Sequence, residues 1–298
     1  MIRRRFFRMF LPILTLLLCL GLRALDVTID WEKAEQVQAG TRLIRIDLEE
    51  PRLMKICLMR IDLKTPGLHF TGTKRDKDWG KPMPDYPSTK IRTKRIRTTD
   101  FLKSARKEGL DMIVAVNAAP WTPWTKPYTH AYGDPRGVTI VDGEVITDNK
   151  PQQAVFAVDK KGKTDIVREL PKSAYRHTAL AVTGFSIILE DGKMLADNAY
   201  DMSLHPRTAY GLSSDRSYFY ILTVDGRQKN WSIGANCREL AEILAAAGAG
   251  DAINMDGGGS STMCFWDRRK NRPVVVNSHG RGGYLRPVAS NLGIVIER

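Results

Sequence analysis

NMDGGGSSTM, at residues 254–263, combines a carboxylate, three consecutive glycines and three hydroxyl side chains. The apolar pair Ala252-Ile253 leads into it, so Asn254 and Asp256 are predicted to share one face of a buried strand. Glycine readily adopts positive φ, and successive amides in such a turn form an anion-binding nest. A solvent-exposed glycine turn is the alternative. We expect a carboxylate beside a cradle for phosphate or sugar oxygens.

The pattern of strands and turns around this stretch predicts an α+β fold with a largely antiparallel or mixed β-sheet core and a few flanking helices. The Asp-Gly pairs at 142–143 and 191–192 predict hairpin turns. An uninterrupted apolar run at 112–116 predicts a buried strand that delivers Asn117.

Two helices are predicted. Thr98-Thr99-Asp100 is expected to cap a short helix that ends near Lys107. The segment from Asn236 to Ala247 has an apolar face of the kind a packed helix needs, and Gly248 is placed to terminate it.

We expect a single domain over residues 25–298, because no repeat, low-complexity linker or break in composition divides the chain. It is predicted to contain N-terminal strands at 42–70, a mobile loop at about 71–99 and a site-bearing core at 100–298. The loop is polar and contains prolines, which is typical of a flap over a site.

Residues 1–24 have the pattern of an export signal. Arginines at positions 3, 4, 5 and 8 precede an apolar run from Met9 to Leu22. The run is shorter than the roughly 20 apolar residues of a membrane span. An uncleaved anchor, a twin-arginine route and a lipid-modified Cys19 are the alternatives. We expect a periplasmic or extracellular protein that meets the membrane only through this signal.

The chain is basic, with a formal net charge of +13. Residues 1–24 hold five arginines and no acidic residue, which leaves +8 for the remainder. Such a charge favours anionic partners, although solvated surface charge is the alternative for the basic clusters at 92–97 and 268–272. No zinc-finger spacing, RNA-binding aromatic signature or basic recognition helix is present, so we expect no nucleic acid partner.

Nothing in the sequence indicates a metal or a cofactor. Cys57, Cys237 and Cys264 follow the signal without a CxxC or metal-like spacing, and the five histidines show none either. We expect buried free thiols, with one internal disulfide as the alternative, and we expect no metal and no cofactor.

Three common glycine motifs do not fit residues 257–262. No lysine follows the last glycine, which excludes a Walker loop. Thr262 stands where a dinucleotide fingerprint or a nucleophile elbow needs glycine.

Residues 254–262 instead resemble the signature of the phosphodiester glycosidases. Further segments resemble motifs of that family in the same chain order: 116–117, 207–211, 224–227, 239–244 and 286–288. The resemblance spans about residues 42–298. One departure is Ala118-Ala119-Pro120-Trp121, where the family usually has two glycines and two phenylalanines, so that wall of the site is expected to differ in shape.

The resemblance implies hydrolysis of the bond between an anomeric carbon and a phosphodiester, with phosphorylated carbohydrate as the partner. Asp256 and Asp225 would be paired carboxylates, one of them activating water or acting as the nucleophile. Arg207 and Arg286 would hold the phosphate, although a structural ion pair is the alternative for each. The expected substrate contacts are completed by Asn117, Asn254, Gly257, Gly258, Gly259, Ser261, Thr262 and, as a partner of an arginine or as an exposed helix carboxylate, Glu239.

A second function from another class stays open. The altered segment at 118–121 is compatible with a non-catalytic binder of phosphorylated polysaccharide, or with an exopolysaccharide-associated protein. Turnover of a sugar phosphodiester separates the enzyme from the binder.

Overall fold

The computed structural model describes residues 25–150, 154–195 and 199–297, and the predicted export signal at 1–24 lies outside them. The first ten strands are β1 (Glu35–Gln38), β2 (Thr41–Leu48), β3 (Met54–Asp62), β4 (Leu68–Gly72), β5 (Thr93–Lys94), β6 (Met112–Asn117), β7 (Trp121–Thr122), β8 (Tyr132–Pro135), β9 (Val138–Val141) and β10 (Glu144–Asp148). The others are β11 (Val155–Asp159), β12 (Thr164–Val167), β13 (Thr178–Thr183), β14 (Ser186–Glu190), β15 (Lys193–Met194), β16 (Arg207–Ser213), β17 (Tyr218–Val224), β18 (Ala249–Asn254), β19 (Met263–Asp267), β20 (Arg272–Val275) and β21 (Asn291–Ile296). The two α-helices are α1 (Thr98–Lys107) and α2 (Cys237–Ala247).

The described strands form four sheets. The largest has eight strands in the order β1-β2-β3-β17-β16-β18-β14-β15. Two five-stranded sheets have the orders β10-β9-β13-β11-β12 and β20-β19-β6-β21-β4. The fourth sheet is three-stranded, with the order β5-β8-β7. Every strand pair among the described residues is antiparallel, which confirms the prediction of a largely antiparallel α+β architecture.

The main core joins the inner faces of the three larger sheets. Aromatic rings occupy its centre, with Phe156 stacked on Phe219 at 4.8 Å between ring centroids and Tyr210 packed edge-on against both. The opposite face of the eight-stranded sheet packs on α2, and α1 covers the sheet that contains β6. Burial of these apolar faces on both sides explains why the central strands are almost continuously hydrophobic.

Both predicted helices are present, and one predicted cap is wrong. Asn236 caps α2 in a capping box with Glu239, and Gly248 ends the helix with φ 102°. At α1 the cap position is Arg97 without a side-chain hydrogen bond. The Thr98 hydroxyl donates instead to Asn291 Oδ1 at 2.8 Å, because the closing strand β21 lies beside the helix start.

The predicted hairpin turns and thiols are also confirmed. Asp142-Gly143 and Asp191-Gly192 both have positive φ, as a two-residue hairpin turn requires. Cys57, Cys237 and Cys264 are buried and free. Within the three described ranges, no helix has the length and apolar character to cross a bilayer.

Sheet order determines where the signature stretch lies. Strand β18 sits between β14 and β16, and Asn254 at its end is opposite Ser186 and Ala209. Beyond the strand, the Asp256 amide donates to Ala118 O, just after the end of β6. The ends of β6, β17 and β18 and the start of β16 therefore meet at one edge of the molecule.

Candidate active site

A cavity of about 970 Å³ opens at this edge. Six segments contribute its lining: 124–128, 185–186, 201–207, 226–228, 254–261 and 278–286. Of the described residues in the loop 71–99, which was predicted as a flap, none lines this cavity. Several of them line a separate cavity of about 300 Å³ against α1 instead.

Asp256 is the buried acid of the larger cavity, with only 4% of its surface exposed. Burial raises its pKa to about 7, against the opposing effects of the Ser260 hydroxyl, the Arg286 charge, the Gly257 amide and the Trp121 indole. Its Oδ1 accepts a 3.0 Å hydrogen bond from the Gly257 amide. Asp256 therefore changes charge near neutral pH.

The second carboxylate oxygen of Asp256 is available for a ligand. Oδ2 is buried and, among the described residues, has no hydrogen-bond partner of regular geometry. Ser260 Oγ and Trp121 Nε1 are buried without such a partner too, so these two donors only partly satisfy the carboxylate. Buried polar atoms are normally paired, which makes an unpaired group in a cavity a candidate for substrate contact.

Arg286 brings a positive charge to Asp256. Its guanidinium lies over the rings of Trp124 and Tyr128, at 5.2 and 4.7 Å from their centroids. Stacking holds the planar group in place while leaving its N–H groups at the edge. Nη1 is buried and unpaired within the described part of the chain, as expected of a group that binds phosphate.

The glycines of the signature allow two arginines to approach the main chain. A Cβ atom at Gly259 would lie 2.5 Å from Arg286 Nη2, and one at Gly258 would lie 3.2 Å from Arg227 Nη1. Gly258 also has φ 62°, which disfavours other residues. The Arg227 guanidinium therefore lies close to Gly258, and the Arg286 guanidinium lies close to Gly259.

The expected nest of free glycine amides is not formed at two of its positions. The Gly257 amide donates to Asp256 Oδ1, and the Gly258 amide donates to Pro206 O at 2.8 Å. Their engagement follows from the tight turn after Asp256, which folds back onto the segment before β16. Gly257 and Gly258 line the cavity, but the structure corrects the role predicted for their amides.

Two further predicted contacts, Asn254 and Ser261, do line the cavity. Asn254 Oδ1 and Ser261 Oγ are both buried, and neither has a hydrogen-bond partner within residues 25–150, 154–195 and 199–297. The cavity floor therefore offers four groups to a ligand. They are two acceptor oxygens from Asn254 and Asp256, the Ser261 hydroxyl and the Arg286 guanidinium.

Asn117 supports this floor from behind, which corrects its predicted role. It is fully buried and does not line the cavity. Its Oδ1 accepts from the Thr208 hydroxyl and the Thr262 amide, and its Nδ2 donates to Asp256 O at 2.6 Å. All side-chain polar atoms of Asn117 are therefore committed to the protein.

Thr262 is also buried behind the cavity and not on its lining. It is 1% exposed, and its hydroxyl lies 2.7 Å from Nε2 of His279, a residue that does line the cavity. The direct substrate contact predicted for Thr262 is replaced by the positioning of this histidine.

Asp225 is not paired with Asp256. It is 3% exposed and does not line the cavity. Its Oδ2 accepts from Trp231 Nε1 at 2.7 Å and its Oδ1 accepts from the Ser278 amide at 2.8 Å. Burial raises its pKa, and these hydrogen bonds oppose the rise. Asp225 thus anchors the 277–279 segment from behind the cavity lining, and the catalytic role expected for it stays a prediction.

Arg207 and Glu239 are held in ion pairs. Arg207 lines the cavity, but its Nη2 donates to Asp201 Oδ2 at 2.8 Å and to Ser203 O at 2.7 Å, and its Nε donates to Ala235 O. Glu239 does not line the cavity and is paired with Arg52. Glu239 thus has the arginine partner that was predicted, but at the start of α2 and away from the substrate.

Several cavity residues were not identified from the sequence. They are Trp124, Tyr128 and His279 on the cavity lining, whereas Arg227 and Trp121 lie in segments that the sequence singled out without assigning these two residues a role. Only the aromatic spacing in Trp121-Thr-Pro-Trp124 gave a signal, because Trp121 follows the strand that delivers Asn117.

The altered segment at 118–121 does not form an open wall. Ala118, Ala119 and Trp121 are each at most 1% exposed. Ala118 O accepts the Asp256 amide, and the Trp121 ring lies 4.5 Å from the Arg95 guanidinium. The departure from the family pattern therefore lies beneath the acid and not in the open cavity.

Comparison with known proteins agrees with this geometry. The family model of the phosphodiester glycosidases matches residues 111–295, which include Asp256 and Arg286. No curated protein sequence matches the chain significantly.

Three solved structures share the fold. The catalytic domain of zebrafish N-acetylglucosamine-1-phosphodiester α-N-acetylglucosaminidase, auto-inhibited by its pro-peptide, has a TM-score of 0.62 at 17% identity over 89% of this chain and 87% of its own. A hypothetical protein from Synechocystis has a TM-score of 0.58 at 12% identity, covering 87% of this chain and 62% of its own. A protein from Burkholderia pseudomallei described as exported has a TM-score of 0.52 at 13% identity, covering 82% and 74%.

The structural likeness extends over most of the chain, and the family model spans more than half of it. The chain therefore belongs to the phosphodiester glycosidase family.

Proposed function

We propose that the protein is an exported hydrolase that cleaves the glycosidic bond of a sugar-1-phosphodiester in cell-envelope or extracellular glycan. The observation that carries this proposal is that Asp256 and Arg286 line the same cavity with Oδ2 and Nη1 free of regular hydrogen bonds. Both atoms are buried in the described structure, where the Ser260 hydroxyl and the Trp121 indole only partly satisfy the Asp256 carboxylate. A carboxylate for the anomeric centre and a guanidinium for the phosphate are the two groups that this reaction needs.

The arrangement supports a division of tasks. Asp256 in its ionised form attacks the anomeric carbon or activates water, and the bond from that carbon to the phosphate oxygen breaks. Arg286 stabilises the phosphate monoester that leaves, so this leaving group needs little protonation. In the overall reaction the hydroxyl of water joins the sugar, and its proton is released on the phosphate side or to solvent.

Other cavity residues would hold the two ends of the substrate. Arg227 lies close to Gly258, next to the glycine that Arg286 approaches, and adds positive charge for the phosphate. Asn254 and Ser261 supply an acceptor and a hydroxyl for the sugar. Because the cavity is partly closed from water, these contacts are stronger than they would be on an open surface.

Export rests on the sequence pattern at 1–24. The Burkholderia protein of the same fold is described as exported, which agrees with this part of the proposal. The activity in the name of the zebrafish enzyme makes N-acetylglucosamine-1-phosphodiesters the first compounds to try.

Hydrolysis of a panel of sugar-1-phosphodiesters, including teichoic-acid-like fragments, tests the proposal. We expect the wild-type protein to release free sugar, and Asp256→Asn to lose at least about 100-fold in kcat/KM. Asp148→Asn is the matched control, since Asp148 is exposed and pairs with Lys172 at the surface. A folded Asp256→Asn variant with wild-type rates would refute the assignment, and tight binding without turnover by the wild type would favour the non-catalytic binder.

A further inference from the structure

One arginine of the basic cluster at residues 92–97 is buried and has no role in the site described so far. Arg95 follows strand β5 and is 7% exposed. Arg92 in the same cluster pairs with Asp134, whereas in the described part of the chain Arg95 has no carboxylate partner. A buried cation is costly unless its donors are satisfied, so the contacts that Arg95 makes in place of an ion pair are informative.

The Arg95 guanidinium joins two segments that belong to the cavity lining or directly follow it. Its Nη1 donates to Tyr128 O at 2.9 Å and to His130 O at 2.6 Å. Its Nε and Nη2 both donate to Pro287 O, at 3.2 and 3.0 Å. Arg95 itself does not line the large cavity, so it can act on a ligand there only through these segments.

Both segments determine where Arg286 lies. Pro287 is the next residue in the chain, and Tyr128 carries a ring whose centroid is 4.7 Å from the Arg286 guanidinium. Burial lowers the pKa of Arg95, Tyr284 opposes this change, and the positive charge of Arg286 adds to it. The two guanidinium groups therefore lie close enough for their charges to interact.

The main chain of Tyr128 depends on its surroundings. Its φ of 60° lies in the left-handed region, which a residue with a bulky side chain rarely adopts. Such a conformation persists only where neighbouring contacts fix it. The Tyr128 amide donates to Thr125 O at 3.0 Å, and its carbonyl accepts from Arg95. Arg95 thus helps to hold the conformation in which the Tyr128 ring contacts Arg286.

The chain around Arg95 also has attachments that do not involve this side chain. Ile96 and Val288 exchange two main-chain hydrogen bonds of 3.0 Å, and the Arg95 amide donates to Ala131 O at 2.8 Å. Substitutions at position 95 should therefore keep the backbone pairing of these segments and remove only the link that the guanidinium makes.

We infer that Arg95 is a positioning residue that fixes the Arg286 guanidinium for binding phosphate. This inference rests on the proposed function, to which it adds a residue that supports the phosphate side of the site without touching the substrate. The planar guanidinium has donors on both edges and bonds the two segments at once, whereas a lysine ammonium keeps the charge but cannot reproduce this geometry.

Binding of inorganic phosphate, measured by isothermal titration calorimetry at low salt, tests the inference. We expect Arg95→Lys to raise the Kd about tenfold. Arg95→Gln leaves no unpaired charge in the interior and should raise the Kd at least as much. In an Arg286→Ala background, both substitutions should change the Kd less than about threefold, because the group that they position is missing. Values of kcat/KM for sugar phosphodiesters should follow the same pattern.

The matched control is Arg75→Lys. Arg75 also donates to one carbonyl, Val145 O, through Nε and Nη2, and its guanidinium lies 4.0 Å from the centroid of the Trp79 ring. It does not line the large cavity. We expect this variant to bind phosphate as the wild type does.

The outcomes separate a positioning role from general structural damage. Equal losses of phosphate affinity with and without Arg286 would overturn the inference, and so would wild-type affinity in Arg95→Lys. Absence of phosphate binding by the wild type would overturn it as well. Phosphate binding that depends on Arg95 only when Arg286 is present, without hydrolysis of any diester, would support the positioning role of Arg95 and refute the proposed function.

Discussion

The side-chain amide of Asn117 donates a 2.6 Å hydrogen bond to the main-chain carbonyl of Asp256. Its oxygen accepts from Thr208 and Thr262 at the same time, so one buried residue ties three segments together behind the acid. Asn117→Ala would leave these groups unpaired in the interior. We expect a loss of about 2–4 kcal/mol in the free energy of unfolding, measured by urea denaturation.

Loss of this support should also lower kcat more than it raises KM, since Asn117 positions Asp256 without contacting substrate. Asn230→Ala, at an exposed position, serves as the control. Unchanged stability of Asn117→Ala would show that the hydrogen-bond network behind Asp256 is not needed to hold it.

The activity should depend on pH through Asp256. Burial raises the pKa of this carboxyl to about 7, and the ionised form is the reactive one in the proposed mechanism. We therefore expect kcat/KM to rise with pH through an inflection near 7. The cavity histidines His205 and His279 have pKa values lowered by burial, which places their titration at lower pH.

The variant Trp121→Phe tests whether Asp256 or one of these histidines causes the pH dependence of kcat/KM. The variant removes the indole N–H that lowers the Asp256 pKa and keeps an aromatic ring beneath Arg95. The inflection in kcat/KM should move to higher pH. A rate that falls with rising pH would instead assign Asp256 the role of a general acid.

The titration of Asp256 should also affect protein stability, which is expected to fall over the pH range in which kcat/KM rises. Between pH 3.8 and about 7, the folded protein retains a proton on Asp256 that the unfolded chain has released. The free energy of unfolding therefore falls as pH rises through this window. Asp256→Asn cannot ionise, so we expect it to gain on the order of 2–3 kcal/mol relative to wild type between pH 5 and pH 8.

Urea unfolding of both proteins at the two pH values measures this gain. Asp148→Asn should show no comparable change, because Asp148 is exposed. If the difference between Asp256→Asn and wild type were the same at pH 5 and pH 8, the carboxyl would not be protonated in the folded state at pH 5.

The geometry of Arg286 should matter as much as its charge. Arg286→Lys keeps the positive charge but loses the planar group that stacks on Trp124 and Tyr128 and can bind phosphate at two points. We expect a decrease of roughly 10–100-fold in kcat/KM for the sugar phosphodiester. Arg269→Lys, on an exposed turn, should retain wild-type activity. Equal activity of Arg286→Lys and wild type would exclude bidentate phosphate binding.

Much of the fold and the centre of the site were predictable. Alternation, Asp-Gly turns, the apolar face of the segment 236–247 and its terminating Gly248 are local signals, and the structure confirms the strands and helices they predicted. Asp256 and Arg286 were selected because motifs in a fixed chain order accompany them, and both line the same cavity, while their catalytic roles stay predictions.

The roles of other polar residues were not predictable, because side-chain direction at a strand end depends on the neighbouring strands. Asn117 turns inward since Thr208 and Thr262 meet it from β16 and the signature turn. Asp225 turns away from the cavity since the 277–279 segment lies beside it. Sheet order decides both arrangements, and distant pairings such as β6 with β19 and β21 leave no local pattern.

The central claim is that the protein breaks the bond between sugar and phosphate on the sugar side. Hydrolysis of a sugar-1-phosphodiester in ¹⁸O-labelled water, followed by mass spectrometry of both products, tests it most directly. We predict that the label appears on the anomeric oxygen of the released sugar and that the phosphate monoester carries none. Label in the phosphate would show cleavage of a phosphorus–oxygen bond, and the protein would then be a phosphodiesterase acting at phosphorus.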